Sequence, residues 1–593
     1  MTHLSENSRR LTISTQTIES KQTLFDSVFG FGDVCFLRLP VAEERNKGAS
    51  LIGVGELVAQ VSERLLKSAT LLIYGDVADL VHVHAVLANR LHYQLWIAIK
   101  REPLGYSSTQ TALPQHHIGV LVYTKYDGQL QHTKTRLAYT YCPICNKTTK
   151  DYGGKKHTYH EYGTLISDVW RDISVDANGN IRVILERFAD LFGLEHYHNL
   201  RGFDLSLLLT QRRLPDRNLF SKSAILETEF QESILLNGDC LEELRKLPDN
   251  SIDFAFADPP YNLNKEYRGY ADDLNIKDYF SWCDQWIGEI ARVLRPGGTF
   301  ALLNIPLWSI RHFLYLETVL TFQNWITWDA LSFPVRLIMP AHYTILCFSK
   351  GEPRPLPGLR TISNLPDATS NSSPFSFLTP LGEGYCLRSQ CIAQRSRMKV
   401  NDREPLTDIW WDIHRLKHNV RRVDHPCQLP PQLMYRLIAL FTAPGEVVLD
   451  CFNGAGTTTL AAHQLRRRYV GIEREYHYYQ LALARHEELE QGLDPFRKEE
   501  RELTAKNSPV VRLKKQKYEV PKKTLQLEVR RVAQLLGKLP TRDDMIEHGR
   551  YAIRYYDEYF ISWGEVCAAA RTTGMKETRE DHPHSIYSQK RLF

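Results

Sequence analysis

Through the middle of the chain, short β-rich apolar runs alternate with stretches whose apolar residues recur at helical spacing. That alternation predicts an α/β fold built on a doubly wound, Rossmann-like sheet. "SILLNGD" (233–239) and "SIDFAFAD" (251–258) read as strands flanking the helix "CLEELRKL" (240–247). "YFSWCDQWIGEIARVL" (279–294) reads as a helix stopped by "RPGG", with the strand "TFALLNI" (299–305) after it. "PQLMYRLIALF" (431–441) is a helix pattern stopped by "APGE", and "EVVLD" (446–450) supplies the next strand.

The first third repeats this pattern in damaged form. "GDVCFLRLP" (32–40) parallels "IDFAFADPP" (252–260), and "HHIGVLVYTK" (116–125) parallels "AHYTILCFSK" (341–350). "QLWIAI" (94–99) follows "ATLLIYGD" at the offset by which "QNWITW" (323–328) follows "GTFALLNI", and "SDVWRDI" (167–173) matches "TDIWWDI" (407–413). Four matches in one order predict an internal duplication, with a degenerate copy over 1–225 and an intact one over 226–486. A charge-rich linker over 487–523 and a small helical domain over 524–593 complete the expected organisation.

Composition narrows the class. A chain of 593 residues is too long for one core, and 43% apolar with 24% charged residues is ordinary for a globular protein. The polar start "MTHLSENSRRLTISTQTIES" has no apolar signal core, and no stretch offers the ~18 apolar residues of a membrane span. No membrane association is expected, and the cytoplasm is the expected location. Net charge is only +5, but "HRLKHNVRR" (414–422), "RRR" (466–468) and "RLKKQKYEVPKK" (512–523) suit a polyanion, although each is also a reasonable solvated face.

Two stretches carry candidate chemistry. In "FAFADPPYNLN" (254–264) an apolar strand ends on Asp258, followed by Pro259, Pro260 and Tyr261; alone, this is as easily a strand-terminating turn. In "EVVLDCFNGAGTTTLAAHQLRRRYVGIERE" (446–475) a strand ends on Asp450, a turn bearing Gly454 and Gly456 leads into a helix, and a second strand ends on Glu473. Glycines admit a ligand close to the backbone, a helix N-terminus offers unpaired N–H groups, and an acid about twenty residues on can take ribose hydroxyls. The loop has neither the Lys of a mononucleotide P-loop nor the third glycine of a dinucleotide fingerprint.

Together these motifs resemble the amino-methylating DNA methyltransferases that use S-adenosylmethionine, in the subgroup whose catalytic motif precedes the cofactor loop. The resemblance covers residues 231–486 and implies a methyltransferase sheet, S-adenosylmethionine as cofactor and double-stranded DNA as partner. "NGDC" resembles the segment bordering the cofactor adenine, with Asp239 as acceptor for its amino group and Cys240 beside it. "DPPYNL" resembles the family's catalytic signature. "HPCQLP" resembles its H-P-x-Q-K-P element, which makes His425, Pro426 and Gln428 cofactor-binding candidates, and Leu429 departs from the usual Lys. "DCFNGAGTT" resembles its F-x-G-x-G loop, adding Phe452, Asn453, Thr457 and Thr458 to Asp450, Gly454, Gly456 and Glu473.

The chemistry explains the acid and the prolines. An exocyclic amino nitrogen is a poor nucleophile while its lone pair is delocalised into the ring. Accepting its two hydrogens at the Asp258 carboxylate and the Pro259 carbonyl favours a pyramidal nitrogen, and the prolines hold φ near about −65° so that the carbonyl stays aimed. Tyr261 is placed to stack on a base extruded from the duplex. An Asp in the first position is more usual for N6-adenine methylation and a Ser for N4-cytosine, so adenine is expected, within a restriction-modification or defence system and with a cognate restriction endonuclease as a possible partner. The rivals are an N4-cytosine enzyme and a non-catalytic DNA-recognition subunit.

The C-terminal "LEVRRVAQLLGKLPTRDDMIEHGRYAIRYYDEYFISWGEVCAAA" (527–570) resembles the helical repeat found beside homing endonucleases. That implies DNA binding, with Arg550 and Arg554 on a basic face, while a protein-docking bundle is the alternative. Two cysteine pairs, Cys142/Cys145 and Cys386/Cys391, fall in the same insertion of the two copies, so one structural zinc held by all four thiolates is expected, with His157 or His160 in reserve. Ordinary reduced thiols are the other reading.

Overall fold

The computed structural model describes residues 12–44, 53–104, 111–125, 130, 133, 135–148, 163–175, 181–194, 198–209, 232–262, 266–267, 270–271, 274–330, 342–359, 386, 388–400, 403–414, 428–496, 520, 522–560 and 563–568. Its first half contains strands β1 (Thr12–Thr17), β2 (Val34–Arg38), β3 (Thr70–Gly75), β4 (His92–Leu104), β5 (Gln115–Thr124), β6 (Val169–Val175) and β7 (Asn199–Asp204). They form one sheet in the order β1-β7-β2-β3-β5-β4-β6, with β5 antiparallel to its neighbours.

The second half contains β8 (Ile234–Asn237), β9 (Ile252–Ala257), β10 (Leu294–Asn304), β11 (Thr321–Asp329), β12 (His342–Ser349), β13 (Ile409–Trp410), β14 (Val447–Asp450) and β15 (Arg468–Glu473). Their order is β8-β15-β14-β9-β10-β12-β11-β13, again with one antiparallel strand, β12, between two neighbours. Among the described residues the two orders coincide except that the first sheet has no counterpart of β15. All four sequence matches lie on corresponding strands or directly before them. Asp33 and Asp253 also do the same work: each accepts the first backbone N–H of the next strand over, Asn199 at 2.9 Å and Val447 at 2.8 Å.

Burial explains the apolar runs. Every residue of β2 and of β9 is buried, as befits inner strands covered on both faces. The helix Ile276–Val293 starts at Asn275, whose side chain accepts from the Lys277 N–H, and buries Tyr279, Phe280, Cys283, Trp286, Ile287, Ile290 and Val293 along one stripe. Where "RPGG" was expected to separate that helix from a strand, it lies inside β10, which starts at Leu294. Gly297 has φ 77°, and a Cβ on Gly298 would come within 2.8 Å of two backbone oxygens. The glycine pair therefore absorbs the irregularity in the β9–β10 register, and the strand continues through it.

The halves share a continuous apolar core that includes Leu37, Trp96 and Leu121 from one and Trp325, Phe313 and Leu346 from the other. Trp96 and Trp325, at equivalent places in the two copies, stack on each other with centroids 4.9 Å apart. At the C-terminus, helices Lys522–Leu536, Arg542–His548, Ile553–Asp557 and Trp563–Ala568 pack on a separate small core around Val529, Met545 and Tyr556. Thr541 caps the second of these with a full capping box, while Ile553–Asp557 is a helix the periodicity did not predict. Among the described residues no helix is long and apolar enough to cross a membrane.

Candidate active site and cofactor pocket

β9 ends where its next residue, Asp258, emerges from the sheet, and the following turn is tightly held. The Tyr279 hydroxyl donates to the Pro260 carbonyl at 2.8 Å, and the Trp308 indole N–H donates to the Tyr261 carbonyl at 2.7 Å. Asn262 adopts a left-handed φ of 54° and its side-chain amide donates to the Leu274 carbonyl at 2.8 Å. Pro259 is buried, and Asp258 and Pro260 are half-buried. Tyr261 is the surprise: its ring is buried and its hydroxyl donates to Asp258 Oδ1 at 2.7 Å. In this state the tyrosine holds one of the two carboxylate oxygens, and its ring is covered by the fold.

The neighbouring β14 and β15 supply the pocket. Gly454 and Gly456 have φ of 50° and 81°, left-handed values at which a side chain is strained, and a Cβ on Gly456 would stand 3.1 Å from Ala482. Glu473 accepts from the Gly454 and Glu475 backbone N–H groups, both at 2.8 Å, which ties the loop to the end of β15. The Asn453 N–H donates to Ile472 at 2.9 Å, and Arg485 donates to the Ala455 carbonyl. Thr457 and Thr458 open the helix Thr457–Gln464, and the Thr458 hydroxyl reaches Met434. Asp239 sits alongside, since the Gly238 N–H and the Asn237 amide both donate to the Glu473 carbonyl. Its Oδ1 caps the helix Cys240–Lys246 by accepting from the Leu241 N–H at 2.9 Å, and Cys240 is buried beneath it.

The structure thus gathers Asp239, Cys240, Asp258, Asp450, Phe452, Asn453, Gly454, Gly456, Thr457, Thr458 and Glu473 at the carboxyl ends of adjacent strands, the usual ligand crevice of such sheets. Gln428 precedes the helix Pro431–Phe441, and Leu429 packs on the core beneath. His425 and Pro426 lie outside the described residues. Sequence reasoning missed Trp282 and Trp286, which wall Phe452 at 5.8 and 5.2 Å, although their spacing of four on an amphipathic helix was visible. It also missed Gly471: a Cβ there would stand 2.6 Å from Leu235 and 2.8 Å from the Asn453 amide.

Electrostatics give this pocket a sign. Burial pushes the Asp450 carboxyl up to about 7, and the nearby Asp258 and Glu473 charges add to the effect against hydrogen bonds from Thr458 and the Phe452 N–H. Burial also raises Glu473. Crowded, desolvated carboxylates favour a cationic ligand, and S-adenosylmethionine brings a sulfonium and an ammonium, so the donor set fits it.

The first copy has a cation where this pocket has its catalytic acid. Arg38 stands at the position matching Asp258, and it donates to Asp204 Oδ1 at 3.1 Å and to Glu44. Asp204 matches Asp450 even in detail: each accepts the backbone N–H two residues on, from Ser206 or Phe452, at 2.9 Å. An internal guanidinium thus neutralises the surviving acid, the segment after Asp204 carries no glycine up to Leu209 because Gly202 lies inside β7, and among the described residues no strand takes the place of the one that would carry the ribose-binding acid.

One titration probes both copies. A carboxyl raised above its unfolded value contributes stability that is fully present below the ordinary carboxylate pKa and is lost as pH rises through about 7. A cation that needs the ionised form binds better over the same window. Calorimetry on the full chain should give one equivalent of S-adenosylmethionine, with affinity rising between about pH 6 and 8 by at most roughly tenfold per unit. Asp450→Asn should weaken binding and flatten that slope. Two equivalents, or a pH-independent affinity, would contradict this account.

Comparison with known proteins agrees with the geometry. Residues 252–484 match the DNA methylase family of N6/N4 type, and residues 520–570 match the homing endonuclease associated repeat. The type II methyltransferase M.BamHI of Bacillus amyloliquefaciens is 31% identical over 354 residues, 58% of this chain and 79% of its own length. M.HpaI of Haemophilus parainfluenzae is 28% identical over 44% of this chain and 76% of its own. The DNA adenine methyltransferase YhdJ of Escherichia coli K12 is 27% identical over 42% and 81%.

Proposed function

This chain belongs to the N6/N4 DNA methylase family, and from that membership we propose that the group it methylates is N6 of adenine at a fixed site in duplex DNA. The observation carrying this reading is Asp258 at the mouth of an acid-lined pocket. The carboxylate and the Pro259 carbonyl accept the two amino hydrogens, and the nitrogen turns its lone pair outward. S-adenosylmethionine, when bound, supplies a methyl group already activated for in-line transfer to that nitrogen. The chain's own contribution is position and preorganised dipoles. Asp450, Glu473 and the Gly454–Gly456 turn hold the cofactor, with Asp239, Cys240, Phe452, Asn453, Thr457 and Thr458 completing its surround; the sequence motif adds His425, Pro426 and Gln428 as further candidates. Release of the Tyr261 hydroxyl from Asp258 Oδ1 frees the ring to meet the base.

The likeness to YhdJ, named an adenine enzyme, supports the choice of base. The likeness to type II methyltransferases supports membership of a restriction-modification system with a cognate endonuclease, and the cytoplasm as location. In the C-terminal repeat, Arg550 and Arg554 are exposed and suit phosphate contact. The paired cysteines hold a structural zinc ion in this reading, and that ion takes no part in methyl transfer. Nucleoside analysis of plasmid methylated by the purified enzyme tests the base: N6-methyladenine is expected, and N4-methylcytosine in its place would overturn the assignment.

A further inference from the structure

The two cysteine pairs, far apart in sequence and each on an excursion from its own sheet, arrive at one place. Cys142 ends the short strand Tyr141–Cys142, which pairs with Lys147–Thr148, and Asn146 turns the hairpin with a left-handed φ of 50°. This hairpin lies between β5 and β6 of the first half. Cys386 and Cys391 lie between β12 and β13 of the second half, Cys391 within the first turn of the helix Ser389–Arg397. The four sulfurs all lie within 4.8 Å of one another, and Cys142 Sγ is 4.0 Å from Cys391 Sγ. A zinc ion with Zn–S bonds of about 2.3 Å in a tetrahedron sets its sulfurs about 3.8 Å apart, so the group needs only a small contraction.

Resting on the zinc reading above, we infer that this ion is a clasp between the halves: its binding and the docking of the hairpin against the helix are one coupled equilibrium. Three observations support it. Cys142, Cys386 and Cys391 are buried, and among the described residues their cluster holds little else than Ile144 and Cys145, too little apolar surface by itself to pin a hairpin of two-residue strands. Donors face the sulfurs: the Ile144 and Cys145 backbone N–H groups donate to Cys142 Sγ, and the Arg388 guanidinium donates to Cys145 Sγ at 3.5 Å. Arg388 thereby offsets part of the double negative charge that four thiolates leave on a divalent ion. Finally, Arg395 donates to the Cys386 carbonyl at 3.0 Å, anchoring that cysteine's strap to the helix that carries Cys391.

Four soft sulfur donors in a closed shell select zinc among the common divalent ions and leave no open position for a reactant. Because the halves also share a buried core, removing zinc should free the hairpin and the helix while the Trp96–Trp325 contact stays closed.

The test uses the full chain as purified. Elemental analysis should give about one zinc per chain, falling below roughly a tenth in Cys142→Ser plus Cys386→Ser. Less than roughly a tenth in the unmutated chain, or iron in place of zinc, overturns the zinc reading itself. Hydrogen exchange before and after removal of the metal by a chelator then addresses the clasp: protection should fall at least tenfold in both 141–148 and 389–397, with S-adenosylmethionine affinity unchanged. A full equivalent of zinc whose removal leaves either segment protected overturns the clasp while leaving the ion in place. The chelation arm uses no variant, so misfolding of the double mutant cannot obscure the result.

Discussion

Asp258→Ala is expected to lower the rate of methyl transfer by about a thousandfold or more, the scale at which a preorganised group acting on the transition state is lost. S-adenosylmethionine affinity should stay within a few fold, because the carboxylate acts on the amino group and bears on the cofactor pocket through a repulsion with Asp450. Removing that repulsion should, if anything, lower the Asp450 pKa and favour the cationic ligand. Single-turnover transfer and cofactor binding, measured on the same preparation, separate the two roles. Tyr261→Phe is the companion variant. It keeps the ring and deletes the hydroxyl held by Asp258, so it should retain transfer within about tenfold, a loss no larger than one modest hydrogen bond commands. Transfer by Asp258→Ala at an unreduced rate would remove the clamp from the mechanism.

The second large effect is expected at the seam between the halves. His117 in the first copy pairs with Asp408 in the second at 3.0 Å, and His342 in the second pairs with Asp168 in the first at 2.9 Å. The four residues are buried, and the two pairs occupy equivalent positions, so the joint is reciprocal about an approximate two-fold. Asp408 also accepts the His116 backbone N–H at 2.7 Å. Asp408→Ala would therefore remove the carboxylate facing His117 Nδ1 and the acceptor of the half-buried His116 N–H at once, leaving His117, among the described residues, only its Nε2 contact with the Thr327 hydroxyl. Leaving a buried donor without its acceptor costs about 1–3 kcal/mol per group, more than an exposed pair typically contributes. The variant should show a lowered denaturant midpoint for the tryptophan fluorescence change, to which Trp96 and Trp325 at the seam contribute among the chain's ten tryptophans. His117→Ala plus Asp408→Ala should cost less than the sum of the single changes, the mark of a direct pairing. A loss below about 1 kcal/mol for Asp408→Ala would show that the seam is carried by its apolar core alone.

The order of elements, the second damaged copy and the nature of the chemistry were legible along the chain because each is written in local pattern. A run such as "IDFAFA" is apolar throughout because both its faces are buried, the turn at Gly454 and Gly456 requires φ values that glycine tolerates, and an acid followed by two prolines ends a strand in one way. Even the meeting of the cysteine pairs could be anticipated, since their equal placement in two matched copies is a property of the sequence. What the chain could not reveal is whatever depends on which side chains converge from distant segments. The charge at Arg38 reads in sequence as a lost catalytic acid; only its contacts with Asp204 and Glu44 make it the internal substitute for a bound cation. The Tyr261 hydroxyl on Asp258, the Trp282 and Trp286 wall and the crossed His–Asp pairs are likewise tertiary facts. Hydrophobic period and turn chemistry act within a few residues and survive as pattern, whereas burial, pKa and pairing are set by the neighbours that the fold brings together.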